Sequence, residues 1–263
     1  MPSPTTVRHP KGHPESEPAR GAVPFLWAFL DSSVGAKITV ALTGLALVTF
    51  TTFHTIGNLK VFSGPDAING YASFLKHDLG ALIWIARAGL LGIFALHLAL
   101  AIRLSLRSRA ARPVPYAHPN RVQATAASRT MIWSGAAVGL FVLFHLAHFT
   151  FAWVHGAEVA PGKVVNYLEL RDAKGRHDVY SMIVAGFTTP WLAVLYIAAQ
   201  VVLFLHLLHG VQSAFQTLGL KNSRFAPAIR VLGFAVAAAI LVGNVGIVIG
   251  VWAGLAPPMH KTI

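Results

Sequence analysis

Cysteine is absent from this chain. That excludes disulfides, thiolate-held iron–sulfur clusters and covalent attachment of c-type heme. Any heme would be held without a covalent bond, and any iron–sulfur cluster would sit in a partner. Acidic residues are scarce, with 9 Asp and Glu against 21 Lys and Arg, and charged residues make up only 11% of a sequence that is 55% hydrophobic. A soluble domain carries about 25% charged residues. Several stretches exceed the roughly 18 uncharged residues needed to cross a bilayer. The expected class is all-α, a polytopic membrane bundle forming one domain.

Five spans are expected, over residues 38–59, 79–106, 130–154, 189–218 and 231–256. The fourth lies in the uncharged stretch 179–220, where Pro190 suits the first turn of the helix proper. Residues 25–30 are apolar but too short to cross and read as an interfacial segment. The domain then covers 25–256, between a polar tail over 1–24 and a short tail over 257–263. The proline-rich start has no apolar core of the kind a cleaved signal peptide carries. The loop after span two holds Arg107, Arg109, Arg112 and Arg121 without an acid, and the loop after span four holds Lys221 and Arg224. The opposite loops mix both signs. The positive-inside rule therefore predicts a cytoplasmic N-terminus and an outer C-terminus; the expected location is the inner (cytoplasmic) membrane.

Four histidines, His54, His97, His145 and His206, fall at similar positions in the first four spans. An imidazole carries a donor and an acceptor that lipid cannot satisfy, so an intramembrane histidine is a candidate functional residue. All four lie toward the C-terminal ends of their spans. Alternating helix direction then places His54 level with His145 and His97 level with His206. The expectation is two bis-histidine sites stacked across the membrane, each holding one heme b through its iron. His148 and His209 each lie three residues after a ligand candidate, on nearly the same face. They are expected to bind a heme propionate or quinone, or to replace the neighbouring ligand. His77, His118, His155 and His177 fall in loops or at span ends and read as solvent-exposed. Spans one and three also share a local pattern: Lys37, Thr43-Gly44 and His54 parallel Arg129, Ser134-Gly135 and His145. The two glycines admit a close neighbour, either a porphyrin or another helix.

These features resemble the single-chain, two-heme cytochrome b subunit of succinate:quinone oxidoreductases and fumarate reductases. The resemblance covers residues 32–255. It rests on Ser33-Val34-Gly35-Ala36-Lys37, Ala41-Leu42-Thr43-Gly44 and His54-Thr55-Ile56-Gly57-Asn58-Leu59 in span one. Further along it rests on Gly64-Pro65-Asp66 through Tyr71, on His97 and Arg103, on Ala111-Arg112 and Tyr116, and on Phe144-His145-Leu146-Ala147-His148. His206, Gly210, Ser213 and Gly219 complete it. The resemblance implies an anchor for a flavoprotein subunit and an iron–sulfur subunit, with two b hemes passing electrons to a membrane quinone, menaquinone for preference. The succinate site would then lie on a partner chain. Membrane lipid is an expected partner and nucleic acid is not. Some family members carry an acid in the fourth span as part of a proton path; residues 179–220 contain none.

Quinone chemistry needs proton donors and acceptors beside an apolar slot. Ser33 and Lys37, at the entrance to span one, are candidates for a quinone or a heme propionate; Asn58, His77 and Asp78 are candidates at the other end. Two alternatives compete: a diheme cytochrome b of a hydrogenase, formate dehydrogenase or nitrate reductase type, and a histidine-lined transporter. The transporter predicts acids or broken helices at mid-membrane, and no span contains Asp or Glu.

Overall fold

The computed structural model of the chain describes residues 24–111 and 129–257. Five of its helical segments are long and apolar enough to cross a membrane, as expected, and the chain is a multi-pass membrane protein. Helix α1 (Phe25–Asp31) is the short apolar segment ahead of span one. Then follow α2 (Ser33–Asn58), α3 (Pro65–Ser73), α4 (Ala81–Ala110) and α5 (Met131–His145). A two-stranded antiparallel hairpin, β1 (Gly156–Ala160) and β2 (Lys163–Asn166), precedes α6 (Val179–Thr188), α7 (Pro190–Thr217) and α8 (Ala226–Trp252). The spans are α2, α4, α5, α7 and α8.

The expected span limits need adjustment at both ends. Helices α2 and α8 each begin five residues earlier than their apolar cores, at Ser33 and Ala226. Ser32 caps α2 by accepting from the Gly35 amide at 2.9 Å, while Pro227 occupies the first turn of α8. Helix α5 is shorter than expected. After His145 it widens into a single π turn over Leu146–Thr150 and stops. The stretch before span four is a separate helix, α6, and the break falls at Thr189, ahead of Pro190. The hairpin departs from a purely helical fold; its register runs from Gly156 opposite Asn166 to Ala160 opposite Lys163.

The antiparallel spans define two ends. At one end lie α1, the start of α2, the end of α4, the start of α5 and the turn between α7 and α8. This basic end holds Asp31 as its one acid among the described residues. Arg103 and Arg107 of α4 reach across to α1: Arg103 donates to the Leu30 carbonyl at 3.1 Å, and Arg107 donates to the Asp31 carbonyl at 2.6 Å and carboxylate at 3.0 Å. Arg103 also pairs with the Asp31 carboxylate. The short helix is thereby fastened across the bundle.

The opposite end is capped by α3, the hairpin and α6. Asn69 is fully buried there and organises the cap. Its Oδ1 accepts from the Tyr180 amide at 2.9 Å, and its Nδ2 donates to Asp178 at 3.2 Å and to Asp172 at 3.4 Å. Asp178 in turn caps α6. Around this cluster, Arg176 pairs with Asp66 at 2.6 Å and Asp172 at 2.7 Å, and Lys174 pairs with Asp66 at 2.7 Å.

The core lies between α6, α7, α8, α3 and the turn that follows α2, with Val61, Tyr180, Phe187, Ala193, Tyr196 and Val248 among its members. Helices α7 and α8 also share a polar contact, Asn244 Nδ2 donating to Gln200 Oε1 at 2.9 Å. The outward faces are apolar: Trp84, Leu91, Leu140 and Val242 are all exposed, as a lipid-facing surface requires. Helix α4 buries only Leu100 along its length.

Candidate functional site

The structure brings His54 and His145 together near the capped end, with ring centroids 5.9 Å apart and ring planes perpendicular. An iron that binds one imidazole nitrogen on each side at about 2 Å holds the two ring centroids roughly 6 Å apart, by the length of metal–imidazole bonds. The observed spacing fits such an iron. Phe50 stacks on His54 at 5.4 Å, and Phe141 and Phe149 lie against His145 at 6.0 and 5.6 Å. The surroundings are therefore apolar and aromatic, as a porphyrin face requires.

His97 and His206 lie deeper along the bundle, at the levels of Gly44 on α2 and Gly135 on α5. Each ring packs against a glycine of the helix beside it. A Cβ on Gly44 of α2 would lie 3.1 Å from His97 Cε1, and one on Gly135 of α5 would lie 3.3 Å from His206 Cε1. This resolves the repeated pattern of spans one and three: their glycines admit the imidazole of a neighbouring helix. Ten residues separate Gly44 from His54, and Gly135 from His145. The two histidine levels are thus about 15 Å apart at 1.5 Å per helical residue.

The residue before each glycine holds the ring through Nδ1. Thr43 Oγ1 donates its only proton to the Thr39 carbonyl at 2.6 Å. Its lone pair faces His97 Nδ1 at 3.1 Å, and the Val40 carbonyl, which can only accept, lies 3.2 Å from the same nitrogen. His97 therefore carries its proton on Nδ1. Ser134 Oγ is placed in the same way beside His206, lying 3.1 Å from the Met131 carbonyl and 3.2 Å from His206 Nδ1; a hydroxyl can donate to or accept from that nitrogen. His97 thus presents a bare Nε2, the form in which imidazole binds a metal, and both rings have Nδ1 engaged by the protein. The donor set thus fits two bis-histidine hemes. Among the described residues no three His, Cys, Asp or Glu side chains converge as a metal-binding cluster.

His148 has another place. It is fully buried, and both ring nitrogens are engaged by protein: Nδ1 by the Tyr196 hydroxyl and Nε2 by His155 Nδ1, each at 2.9 Å. His209 is half-buried on α7, one turn beyond His206. Ser33 and Lys37 are exposed at the basic end, just after the helix cap Ser32. Asn58 is half-buried at the end of α2, while His77 and Asp78 are exposed at the capped end. His118, Arg112, Tyr116 and Arg121 lie outside the described residues.

Two residues escape detection in the sequence. His155, expected in solvent, is folded back against His148 and half-buried. Burial holds its pKa below the usual imidazole value. Tyr196 on α7 links His145 Nδ1, at 3.2 Å, to His148. The signal available in the sequence is the tyrosine itself, whose hydroxyl needs a partner inside an apolar span.

Comparisons with known protein families, with curated proteins and with solved structures return no match to this chain. The functional reading therefore rests on the geometry of the site.

Proposed function

We propose that this chain is the two-heme cytochrome b anchor of a succinate:quinone oxidoreductase or fumarate reductase. One heme b is held by His54 and His145 and the other by His97 and His206. The observation that carries this reading is the pairing of His54 with His145 at 5.9 Å; one level down, His97 and His206 each have Nδ1 engaged by the protein. When bound, the hemes supply one-electron carriage between the two ends of the bundle. The protein's own part is to orient the rings. Thr43 and Val40 fix the Nδ1–H tautomer of His97, Ser134 orients His206, Gly44 and Gly135 let the imidazoles seat, and the aromatic side chains around His145 exclude water.

The basic end, with Asp31 as its single described acid, faces the cytoplasm by the positive-inside rule. It would receive an iron–sulfur subunit, which in turn carries the flavoprotein that oxidises succinate or reduces fumarate. Quinone, menaquinone for preference, is the membrane partner, with Ser33 and Lys37 or Asn58, His77 and Asp78 as candidate contacts. The membrane is the inner, cytoplasmic one.

Pyridine hemochrome analysis of the purified chain should give about two hemes, one per ligand pair. His206→Ala should lose one of them, and His209→Ala should keep both. A wild-type count near one or zero sinks the proposal.

A further inference from the structure

Tyr196, His148 and His155 connect His145 to the capped end, and the direction of every hydrogen bond among them follows from the last acceptor. The Met182 carbonyl can only accept, so His155 Nε2, 3.3 Å away, carries a proton. A neutral His155 then has a bare Nδ1, which accepts from His148 Nε2 at 2.9 Å. His148, protonated on Nε2, has a bare Nδ1 that accepts from the Tyr196 hydroxyl at 2.9 Å. The tyrosine proton is thereby committed, and its oxygen accepts from His145 Nδ1 at 3.2 Å. His145 is left with its lone pair on Nε2. No metal is needed to produce this tautomer.

The fold is built to hold this relay. The π turn over Leu146–Thr150 carries His148, and π turns inside helices concentrate at functional positions. The chain then reverses at Ala152, a buried residue with φ +49°, in the left-handed region that alanine rarely adopts. Asn166 fastens this reversal by donating to the carbonyls of Ala152 at 3.1 Å and Phe151 at 3.3 Å. Gly186 of α6 makes room for the joined rings. A Cβ there would lie 3.1 Å from His148 Nε2 and 3.5 Å from His155 Cε1.

We infer that Tyr196, His148 and His155 are positioning residues, a relay that fixes the tautomer of His145 so that a bare Nε2 is offered to an iron at the His54–His145 site. The inference deepens the heme reading and rests on it for what His145 holds; the tautomer stands apart from it. An acceptor behind Nδ1–H makes the ligating nitrogen more basic and favours oxidised iron. Losing that acceptor raises the midpoint potential of the attached heme.

The test uses the full chain in lipid with Tyr196→Phe, His155→Leu and His155→Gln variants. Redox titration should show Tyr196→Phe and His155→Leu raising one heme potential, by about tenfold in the equilibrium or ~59 mV for one electron. The second potential should stay in place. His155→Gln should restore the wild-type value, because its amide oxygen accepts from His148 and its amide NH2 donates to Met182. A relay that only fills space would not separate Gln from Leu. Equal behaviour of those two variants, or unmoved potentials throughout, overturns the inference; if Tyr196→Phe does not accumulate, the His155 pair decides alone. If the wild-type chain binds no heme, the functional reading fails. Histidine-selective 15N NMR then judges the relay: a bare Nε2 on His145 upholds it and a protonated Nε2 overturns it.

Discussion

A single methyl group is enough to test how the deeper histidines are seated. At Gly44 a Cβ would come within 3.1 Å of the His97 ring, tighter than ordinary contact, so the imidazole must shift by a few tenths of an ångström. On the proposed reading, Gly44→Ala is expected to keep both hemes and perturb the spectrum of one, while Gly44→Leu should eject that heme; the hemochrome count and reduced spectrum check both. Thr43→Val should shift the same heme and Thr43→Ser should not, since only the hydroxyl oxygen is needed beside His97. At this scale the sequence is informative about which residues matter and silent about how. The four matched histidines stand out because imidazole is costly in lipid. What Thr43-Gly44 and Ser134-Gly135 do is not readable, because the ring they receive comes from another helix. His155 misleads for a related reason. Its burial depends on a chain reversal at Ala152 that no turn-forming residue announces.

Among the elements, α1 shows how a charged contact can fasten a segment without contributing much stability. Asp31 is largely exposed, with 72% of its side-chain surface accessible, and Arg103 and Arg107 are at 31% and 48%. Pairs this open contribute about 1 kcal/mol or less. Asp31→Asn is therefore expected to leave global stability and heme content unchanged while raising amide exchange in α1, measured by hydrogen–deuterium exchange. The same contact occupies two of the arginines at the basic end. The spans are legible because an uncharged run of twenty or more residues, in a chain this poor in acids, suits a bilayer better than a water-facing surface. Their ends are less so: capping by Ser32 and the first-turn prolines extend helices past their apolar cores, whereas the π turn cuts α5 short. The hairpin goes unseen because its strands are short and mostly exposed, leaving little hydrophobic alternation to read.

For the molecule as a whole, the two ends should respond differently to acid. Hydrogen bonds from Lys174 and then Arg176 hold the Asp66 carboxyl below its ordinary pKa. Burial pushes Asp172 up, but hydrogen bonds from Arg176 and the Lys174 and Arg176 amides outweigh it and leave its pKa lowered. A carboxylate with a lowered folded-state pKa stabilises fully above its unfolded value of about 3.9, and that contribution is lost as pH falls through the folded value. The cap should hold at neutral pH and loosen below about pH 4. Because the native chain has no cysteine, a single spin label at Glu169→Cys can report this directly. Its mobility should rise on acidification, and adding Asp66→Asn should raise it already at neutral pH. A label unchanged at both pH values would mean that these ion pairs do not hold the cap.

Helix α4 leans chiefly on α2 and buries one residue, Leu100, in a length of 30. A helix held so lightly by its own chain takes its place from whatever is later set beside it. On the proposed reading that is a porphyrin gripped through His97, which makes heme supply a checkpoint in biogenesis. Newly inserted chains would present α4 as a loose span to membrane proteases until the prosthetic group arrives, so cells starved of heme would clear this protein by degradation instead of storing it.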